Sequence, residues 1–136
     1  CRWREKDMSE ENPRPKGELS IRSLAMPADT NPSGDIFGGW ILSQMDIAGS
    51  IAAGNRAKGR VATVAVKGMS FHLPVRVGDV VCCHTEIQRV GDTSITLLVE
   101  VWTMRRGEQR QIKVTEGAFV YVALDEEGRK RPVPPE

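Results

Sequence analysis

The stretch that most constrains this chain runs from residue 29 to residue 55. It begins as a loop of turn-forming residues, passes through Gly38 and Gly39, and continues as a long apolar run that contains a single acid, Asp46. A helix that is apolar nearly all round is a buried helix, and a buried carboxylate is costly unless it is satisfied or used. The sequence therefore predicts a central helix over residues 38–55 with an acid that needs an explanation.

The rest of the chain has the patterns of β-structure. Alternation with a period of two, or a β-branched composition, predicts strands over residues 19–26, 61–69 with a continuation to 73, 80–90, 93–104 and 111–124. Tight turns join most of the later strands, and hairpins imply an antiparallel sheet. The predicted fold class is α+β, with one curved antiparallel sheet around one long helix.

The first 17 residues differ from the rest. They contain two prolines and many charges without periodicity, which predicts a flexible N-terminal arm. The remaining residues, 18–136, are enough for one domain with a core of its own. We therefore expect an arm over 1–17 and a single domain over 18–136.

Composition excludes several classes of function. The net charge of +1 gives the whole chain no electrostatic attraction to nucleic acid or to an anionic membrane, and no apolar run is long enough to span a bilayer. The cysteines, Cys1, Cys82 and Cys83, do not form a disulfide framework, and His72 and His84 lack metal-ligand spacing. We expect reduced thiols, no metal site and a cytoplasmic location.

Asp46 is the main candidate for chemistry, and the residues alone leave two interpretations open. Most acids in helices lie on an exposed face, but residues 40–48 offer little polar sequence to form one. An acid in such an apolar setting is a frequent mark of a functional site.

The other candidates have simple structural interpretations. The first N–H groups of a helix have no partner within it, and a ligand oxygen can approach Gly38 and Gly39 closely, although close packing would also explain two glycines. Asn31, before Pro32, is by default a turn residue. Arg105 and Arg106 belong by default to a solvated basic hairpin.

Several short motifs are specific when taken together. They are Ala25-Met26-Pro27-Ala28-Asp29-Thr30-Asn31, Gly34-Asp35-Ile36-Phe37-Gly38-Gly39-Trp40, Ser43-Gln44-Met45-Asp46, Val77-Gly78-Asp79-Val80-Val81-Cys82-Cys83 and Glu100-Val101-Trp102. Over residues 19–134 the chain resembles the hotdog-fold acyl-CoA thioesterases, and within them the bacterial YciA-like subgroup.

The resemblance implies a hotdog fold, with a curved antiparallel sheet around one central helix. It also implies a homodimer with active sites at the interface, often assembled further into a hexameric trimer of dimers. The family's catalytic acid falls on Asp46 and its loop asparagine on Asn31, contributed from opposite subunits. The glycines at the start of the family's helix fall on Gly38 and Gly39.

The same resemblance implies hydrolysis of acyl-CoA to free acid and CoA without a cofactor, CoA being part of the substrate. Asp46 would act as general base or nucleophile, and helix N–H groups would stabilise the oxyanion. The expected substrate contacts are Thr63 in the wall of the site, Lys67, Thr93, Ser94, Arg105 and Arg106 around CoA, and Ile36, Phe37 and Trp40 along the acyl chain.

Two alternatives stand beside this hypothesis. A non-catalytic acyl-CoA-binding regulatory hotdog protein would keep the fold and the basic rim but would not require Asp46. A hotdog dehydratase would need a histidine with an acid, and neither His72 nor His84 lies in such a motif. The combination of Asp46, Asn31 and the two glycines favours the hydrolase.

Overall fold

The fold is one five-stranded sheet with one long helix. The computed structural model describes residues 14–105, 107 and 110–136. Its elements are β1 (Glu18–Leu24), a short 3-10 helix (Pro27–Asp29), α1 (Gly38–Ala57), β2 (Val61–Phe71), β3 (Val80–Val90), β4 (Ser94–Met104) and β5 (Gln111–Ala123). Neighbouring strands are antiparallel in the order β1-β3-β4-β5-β2, and α1 contacts every strand. The predicted α+β class is confirmed. The first 13 residues of the predicted arm lie outside the described residues.

Helix α1 is two residues longer than predicted. It ends at Ala57, and Lys58 follows in the left-handed conformation with φ 56°, a position more often taken by glycine. The N–H groups of Lys58 and Gly59 both donate to the carbonyl of Gly54, and the Arg131 guanidinium donates to the carbonyl of Ala57 at 2.7 Å. The C-terminal tail therefore satisfies carbonyls that the helix end leaves open.

The helix is buried along one face only, so the prediction of a helix buried all round is wrong for a single chain. Met45 and Ala48 are fully buried against the sheet, whereas Leu42, Ile47 and Ile51 are exposed. Among the helices described, none is long and apolar enough to cross a membrane. The apolar pattern of α1 therefore includes a face that the chain itself leaves uncovered.

Helix α1 lies close to strand β5 at Gly49. A Cβ atom at Gly49 would lie 2.3 Å from the hydroxyl oxygen of Tyr121 and 2.9 Å from its ring, although real Cβ contacts essentially never fall below 3.0 Å. Tyr121 is fully buried and its ring stacks with that of Phe119, with centroids 6.4 Å apart. The missing side chain at Gly49 therefore lets the Tyr121 hydroxyl reach the helix.

A polar cluster occupies the face of the sheet away from the helix. Glu100 and Trp102 lie two residues apart on β4 and so share a face. Glu100 is 2 % exposed; its carboxylate accepts hydrogen bonds from the Lys16 N–H and the Trp102 indole and pairs with Lys113 at 3.0 Å. Burial raises the pKa of Glu100, but these donors outweigh it and hold the pKa below its usual value. The cluster is fully paired and structural.

The two adjacent cysteines have different states. Cys83 is a buried free thiol, and burial raises its pKa to about 12. Cys82 is disulfide-bonded, so the expectation of reduced thiols is wrong for this residue. Adjacent residues of a strand point to opposite faces, which places the two sulfur atoms in different surroundings. Cys1 lies outside the described residues.

The close approach at Gly49 gives a stability prediction. Alanine normally stabilises a helix interior by about 1 kcal/mol over glycine, but Gly49→Ala must displace a buried ring, which we expect to lower the free energy of unfolding by about 1–3 kcal/mol. Gly39→Ala is the matched control, because a Cβ there would meet nothing within 4 Å. Urea unfolding of both variants measures the difference. Equal stability of the two variants would contradict the predicted clash.

Candidate active site

Asp46 lies on the side of α1 that faces strands β2 and β5. Its Oδ1 accepts hydrogen bonds from the Thr63 hydroxyl at 2.6 Å and from the Tyr121 hydroxyl at 3.0 Å. The Tyr121 oxygen is also 3.0 Å from the main-chain carbonyl oxygen of Asp46. Thr63 and Tyr121 are directly opposite each other in the β2–β5 pairing. The register of the sheet therefore brings two hydroxyl groups to one carboxylate oxygen.

The two oxygens of Asp46 have different surroundings. Oδ1 has two donors, whereas Oδ2 has no hydrogen-bond partner in the part of the chain that the structure describes. Burial, followed by the contact with Asp46, raises the pKa of Tyr121 above its usual value, so this phenol stays protonated and can only donate to a carboxylate. The site thus presents a carboxylate that is fixed on one side and open on the other.

The helix begins at Gly38 with the N-cap at Phe37. The N–H groups of Trp40 and Ile41 donate to the Phe37 carbonyl, but those of Gly38 and Gly39 have no acceptor among the described residues. A Cβ at Gly39 would meet no atom of the described residues within 4 Å, so a ligand has open space beside this glycine. These two groups lie at the positive end of the helix dipole and can stabilise a developing oxyanion.

Asn31 organises the loop before the helix. Its Oδ1 accepts hydrogen bonds from the N–H groups of Ser33 at 2.9 Å and Asp35 at 3.1 Å. Two N–H donors on this atom identify it as the amide oxygen. The side-chain nitrogen of Asn31 is left with two N–H donors that can be offered to a carbonyl oxygen or a water.

A cavity of about 340 Å³ lies beside the helix N-terminus. Asn31, Ile36, Gly38 and Phe71 are among its lining residues, with Asp35, Ile41, His72, Leu73, Pro74 and Val75. A Cβ at Gly38 would lie 3.4 Å from the Phe71 ring, so this ring stands over the start of the helix. The predicted residue Ile36 is in the cavity wall, whereas Phe37 is exposed at the N-cap and Trp40 packs partly buried against the core.

Within one chain these groups form two separate parts. The helix rises about 1.5 Å per residue, which puts Asp46 about 11 Å along the axis from Gly39. A single reacting carbonyl must lie about 3 Å from both the nucleophile and the oxyanion donors. One part, the N-terminal half-site, consists of Asn31, Gly38 and Gly39. The other, the acid half-site, consists of Asp46, Thr63 and Tyr121.

The residues predicted to bind CoA are spread over the sheet. Thr93 and Ser94 form the β3–β4 hairpin near the acid half-site, since Ser94 pairs with Val122 next to Tyr121. Arg105 follows the other end of β4, about 35 Å along the strand. The structure does not bring these two sets together within one chain.

The basic candidates also differ in their surroundings. The Arg105 guanidinium donates to the Pro74 carbonyl at 2.8 Å and lies 3.5 Å from the Asp79 carboxylate, so it is already occupied. Lys67 is exposed on the edge strand β2. Arg106 lies outside the described residues.

Sequence reasoning missed Tyr121 and Phe71. Tyr121 is the only tyrosine of the chain and lies in a predicted strand, and a buried tyrosine hydroxyl usually has a partner; that signal could have marked it. The direction of the Phe71 side chain depends on the irregular register of β2 between Lys67 and Ser70, where Gly68 has φ 65°. Such bulges redirect side chains near sites, and no period in the sequence reveals the redirection.

Other parts of the described chain do not compete for this chemistry. A cavity of about 690 Å³ between the C-terminal half of α1 and strands β1 and β3 contains none of the predicted site residues. Among the described residues there is no group of three or more His, Cys, Asp or Glu side chains that could hold a metal ion.

Comparison with known proteins identifies the family of the chain. The model of the thioesterase superfamily matches residues 33–108. The chain is 54 % identical over 123 residues to the acyl-CoA thioester hydrolase YciA of Salmonella typhimurium, which covers 88 % of this chain and 92 % of that protein.

Solved structures give the same result. The hexameric thioesterase y2039 of Yersinia pestis has a TM-score of 0.86 at 52 % identity and covers 90 % of this chain and all of that one. Cj0915 of Campylobacter jejuni, described as a hexameric hotdog fold thioesterase, has a TM-score of 0.83 at 43 % identity, with 89 % and 93 % covered. The predicted hotdog fold is confirmed, and the chain belongs to the thioesterase superfamily.

Proposed function

We propose that this chain hydrolyses acyl-CoA thioesters to the free acid and CoA, with the Asp46 carboxylate as general base or nucleophile. The observation that carries the proposal is the fixed carboxylate, whose Oδ1 accepts two hydrogen bonds while Oδ2 remains available. Such a group is suited to take a proton from water or to attack a carbonyl carbon. The similar proteins named as acyl-CoA thioester hydrolases support the substrate class.

Two routes lead to the same products. In the first, Asp46 removes a proton from water, the water oxygen bonds to the thioester carbon, the C–S bond breaks, and the proton passes to the CoA sulfur. In the second, Asp46 Oδ2 attacks the carbon and releases CoA as its thiolate; water then cleaves the anhydride to the free acid and the Asp46 carboxylate, and a proton of that water passes to the CoA sulfur. Both routes place negative charge on the carbonyl oxygen, where a preorganised donor is typically worth about 3 kcal/mol.

The site requires two copies of the chain. The N-terminal half-site and the acid half-site lie too far apart in one copy to contact one carbonyl. In a dimer, Gly39 of one copy can supply the oxyanion donor and Asp46 of the other can supply the base. The amide N–H groups of Asn31 then orient the carbonyl oxygen or the water, because the Asn31 oxygen is used in its own loop.

The exposed apolar surface supports such a dimer. Strand β2 is an edge of the sheet with Val64 and Val66 exposed, and an open edge is a template for a further strand. A second copy paired along β2 would cover Val64 and Val66, and the hexameric solved relatives support a trimer of such dimers.

The substrate extends from the carbonyl in two directions. The acyl group enters the cavity under Phe71, where Ile36 contributes to the wall. CoA lies towards Thr93, Ser94 and Lys67, whereas the Arg105 guanidinium would first have to release the Asp79 carboxylate. A cytoplasmic location stays a prediction.

Removal of the acid tests the reaction. Asp46→Asn keeps the shape of the side chain but cannot act as a base, so we expect hydrolysis to fall by about 10²- to 10⁴-fold. Free thiol release from short and long acyl-CoAs measures the loss, with Glu126→Gln, an exposed acid of the β5 turn, as control. Asp46→Asn with activity close to that of the unmodified protein would refute the mechanism. An unmodified protein that binds acyl-CoA without hydrolysing it would favour the regulatory alternative.

Subunit complementation tests the shared site. Asn31→Asp keeps the oxygen that holds the loop but loses the amide donors, so this variant and Asp46→Asn should each be inactive. A mixed dimer of the two contains one intact site if the half-sites come from opposite copies. Random mixing in a twofold dimer should then restore about a quarter of the activity. Co-expression with separate tags measures the recovery. If no activity were recovered, the two half-sites of one active site would have to come from the same copy.

Chain-length preference tests the acyl cavity. Phe71→Ala removes the ring that covers the start of the helix, and we expect kcat/KM to shift towards longer acyl groups. One extra methylene in an apolar pocket changes discrimination by about 1–3 kcal/mol, so a series from acetyl-CoA upwards resolves the shift. Val90→Ala, an exposed residue outside the cavity, should leave the series unchanged. If Phe71→Ala changed kcat/KM equally for all chain lengths, the acyl group could not lie in this cavity.

A further inference from the structure

We propose that Tyr121 is a positioning residue for Asp46, whose hydroxyl fixes the orientation of the catalytic carboxylate and leaves Oδ2 directed to the substrate. The proposal rests on the proposed function and deepens it. Tyr121 lies in none of the motifs that carry the resemblance to the thioesterases. Its assignment comes from its contacts alone.

The contact geometry restricts the Asp46 side chain from two directions. The Tyr121 oxygen lies 3.0 Å from Asp46 Oδ1 and 3.0 Å from the main-chain oxygen of the same residue. One hydroxyl therefore spans the main chain and the side chain of Asp46, which limits rotation about the bonds between them. Thr63 holds the same Oδ1 from strand β2 at 2.6 Å. Rotation of the carboxylate would break both hydrogen bonds.

The surroundings of Tyr121 are built for this contact. The ring is fully buried and stacked on Phe119, so the hydroxyl cannot turn away from the helix. Gly49, one helical turn after Asp46, leaves the space that the hydroxyl occupies. A larger residue at position 49 would separate Tyr121 from Asp46. The contact thus depends on Gly49 and on Phe119, and neither residue takes part directly in hydrolysis or CoA binding.

The single proton of the hydroxyl favours the carboxylate. The Asp46 carbonyl is inside α1, where the N–H four residues later already donates to it. A hydrogen bond to an ionised carboxylate is roughly twice as strong as one between neutral groups. Because burial raises the pKa of Tyr121 above its usual value, the hydroxyl stays protonated and remains a donor. Tyr121 therefore orients the base without accepting its proton.

Tyr121→Phe tests the proposal because it removes one oxygen and keeps the ring. We expect kcat to fall by about 10- to 100-fold, the scale of a misplaced reacting group, with KM unchanged because the acyl cavity and the CoA residues are not altered. Titration of CoA-binding sites gives kcat per folded site. Gly49→Ala is the second variant, since it keeps the hydroxyl but pushes it from Asp46, and it should show the same fall in kcat at constant KM.

Trp102→Phe is the matched control. It also removes an aromatic donor from a carboxylate, Glu100, but on the other face of the sheet. We expect lower stability with unchanged kcat per site. Hydrolysis by Tyr121→Phe and Gly49→Ala at the rate of the unmodified protein would refute the positioning role while leaving the proposed function intact. Failure of the proposed function would instead appear as an unmodified protein that hydrolyses no acyl-CoA.

Discussion

The hydrogen bond between Tyr121 and Asp46 joins the last strand to the middle of the helix at the point where the reaction is proposed. It forms only because Gly49 has no side chain. The register of the strand, the position of the helix and the orientation of the carboxylate must all be correct for this one hydrogen bond to form. Thr63 adds a second donor to the same oxygen from the neighbouring strand. The acid that looked costly in an apolar helix is therefore satisfied on one oxygen by the sheet that packs against it.

The same chain is incomplete in two ways, and one partner would resolve both. The acid half-site and the N-terminal half-site lie about 11 Å apart along α1, so neither can complete a site within one copy. Edge strand β2 exposes Val64, an apolar side chain that the chain itself leaves uncovered. A second copy paired along β2 would cover Val64, and the proposed reaction also needs a second copy. A substitution on that apolar face would affect activity through assembly, without contacting substrate.

The parts of the fold that follow a local period were predictable. Strand β3 has the predicted bounds, and α1 begins at the predicted glycine, because alternation and turn residues act over a few neighbours. The pairing of Thr63 with Tyr121 was not predictable, since it depends on which strand β2 pairs with, and β5 lies about 60 residues further along the chain. The exposed face of α1 was misread because an apolar pattern does not say whether its own chain or a second one covers it. The Arg105 contact with Asp79 likewise depends on tertiary packing.

Comparison of two carboxylates explains why sequence could not assign the acid's role. Glu100 and Asp46 both lie in apolar stretches, and each accepts a hydrogen bond from an aromatic donor. Glu100 has both oxygens paired and is almost fully buried, so it can neither meet substrate nor exchange a proton readily. Asp46 keeps one oxygen unpaired among the described residues and is only partly buried. The structural acid Glu100 and the proposed catalytic acid Asp46 thus differ in the number of acceptor positions that the fold leaves open. That number is set by strands far apart in the chain.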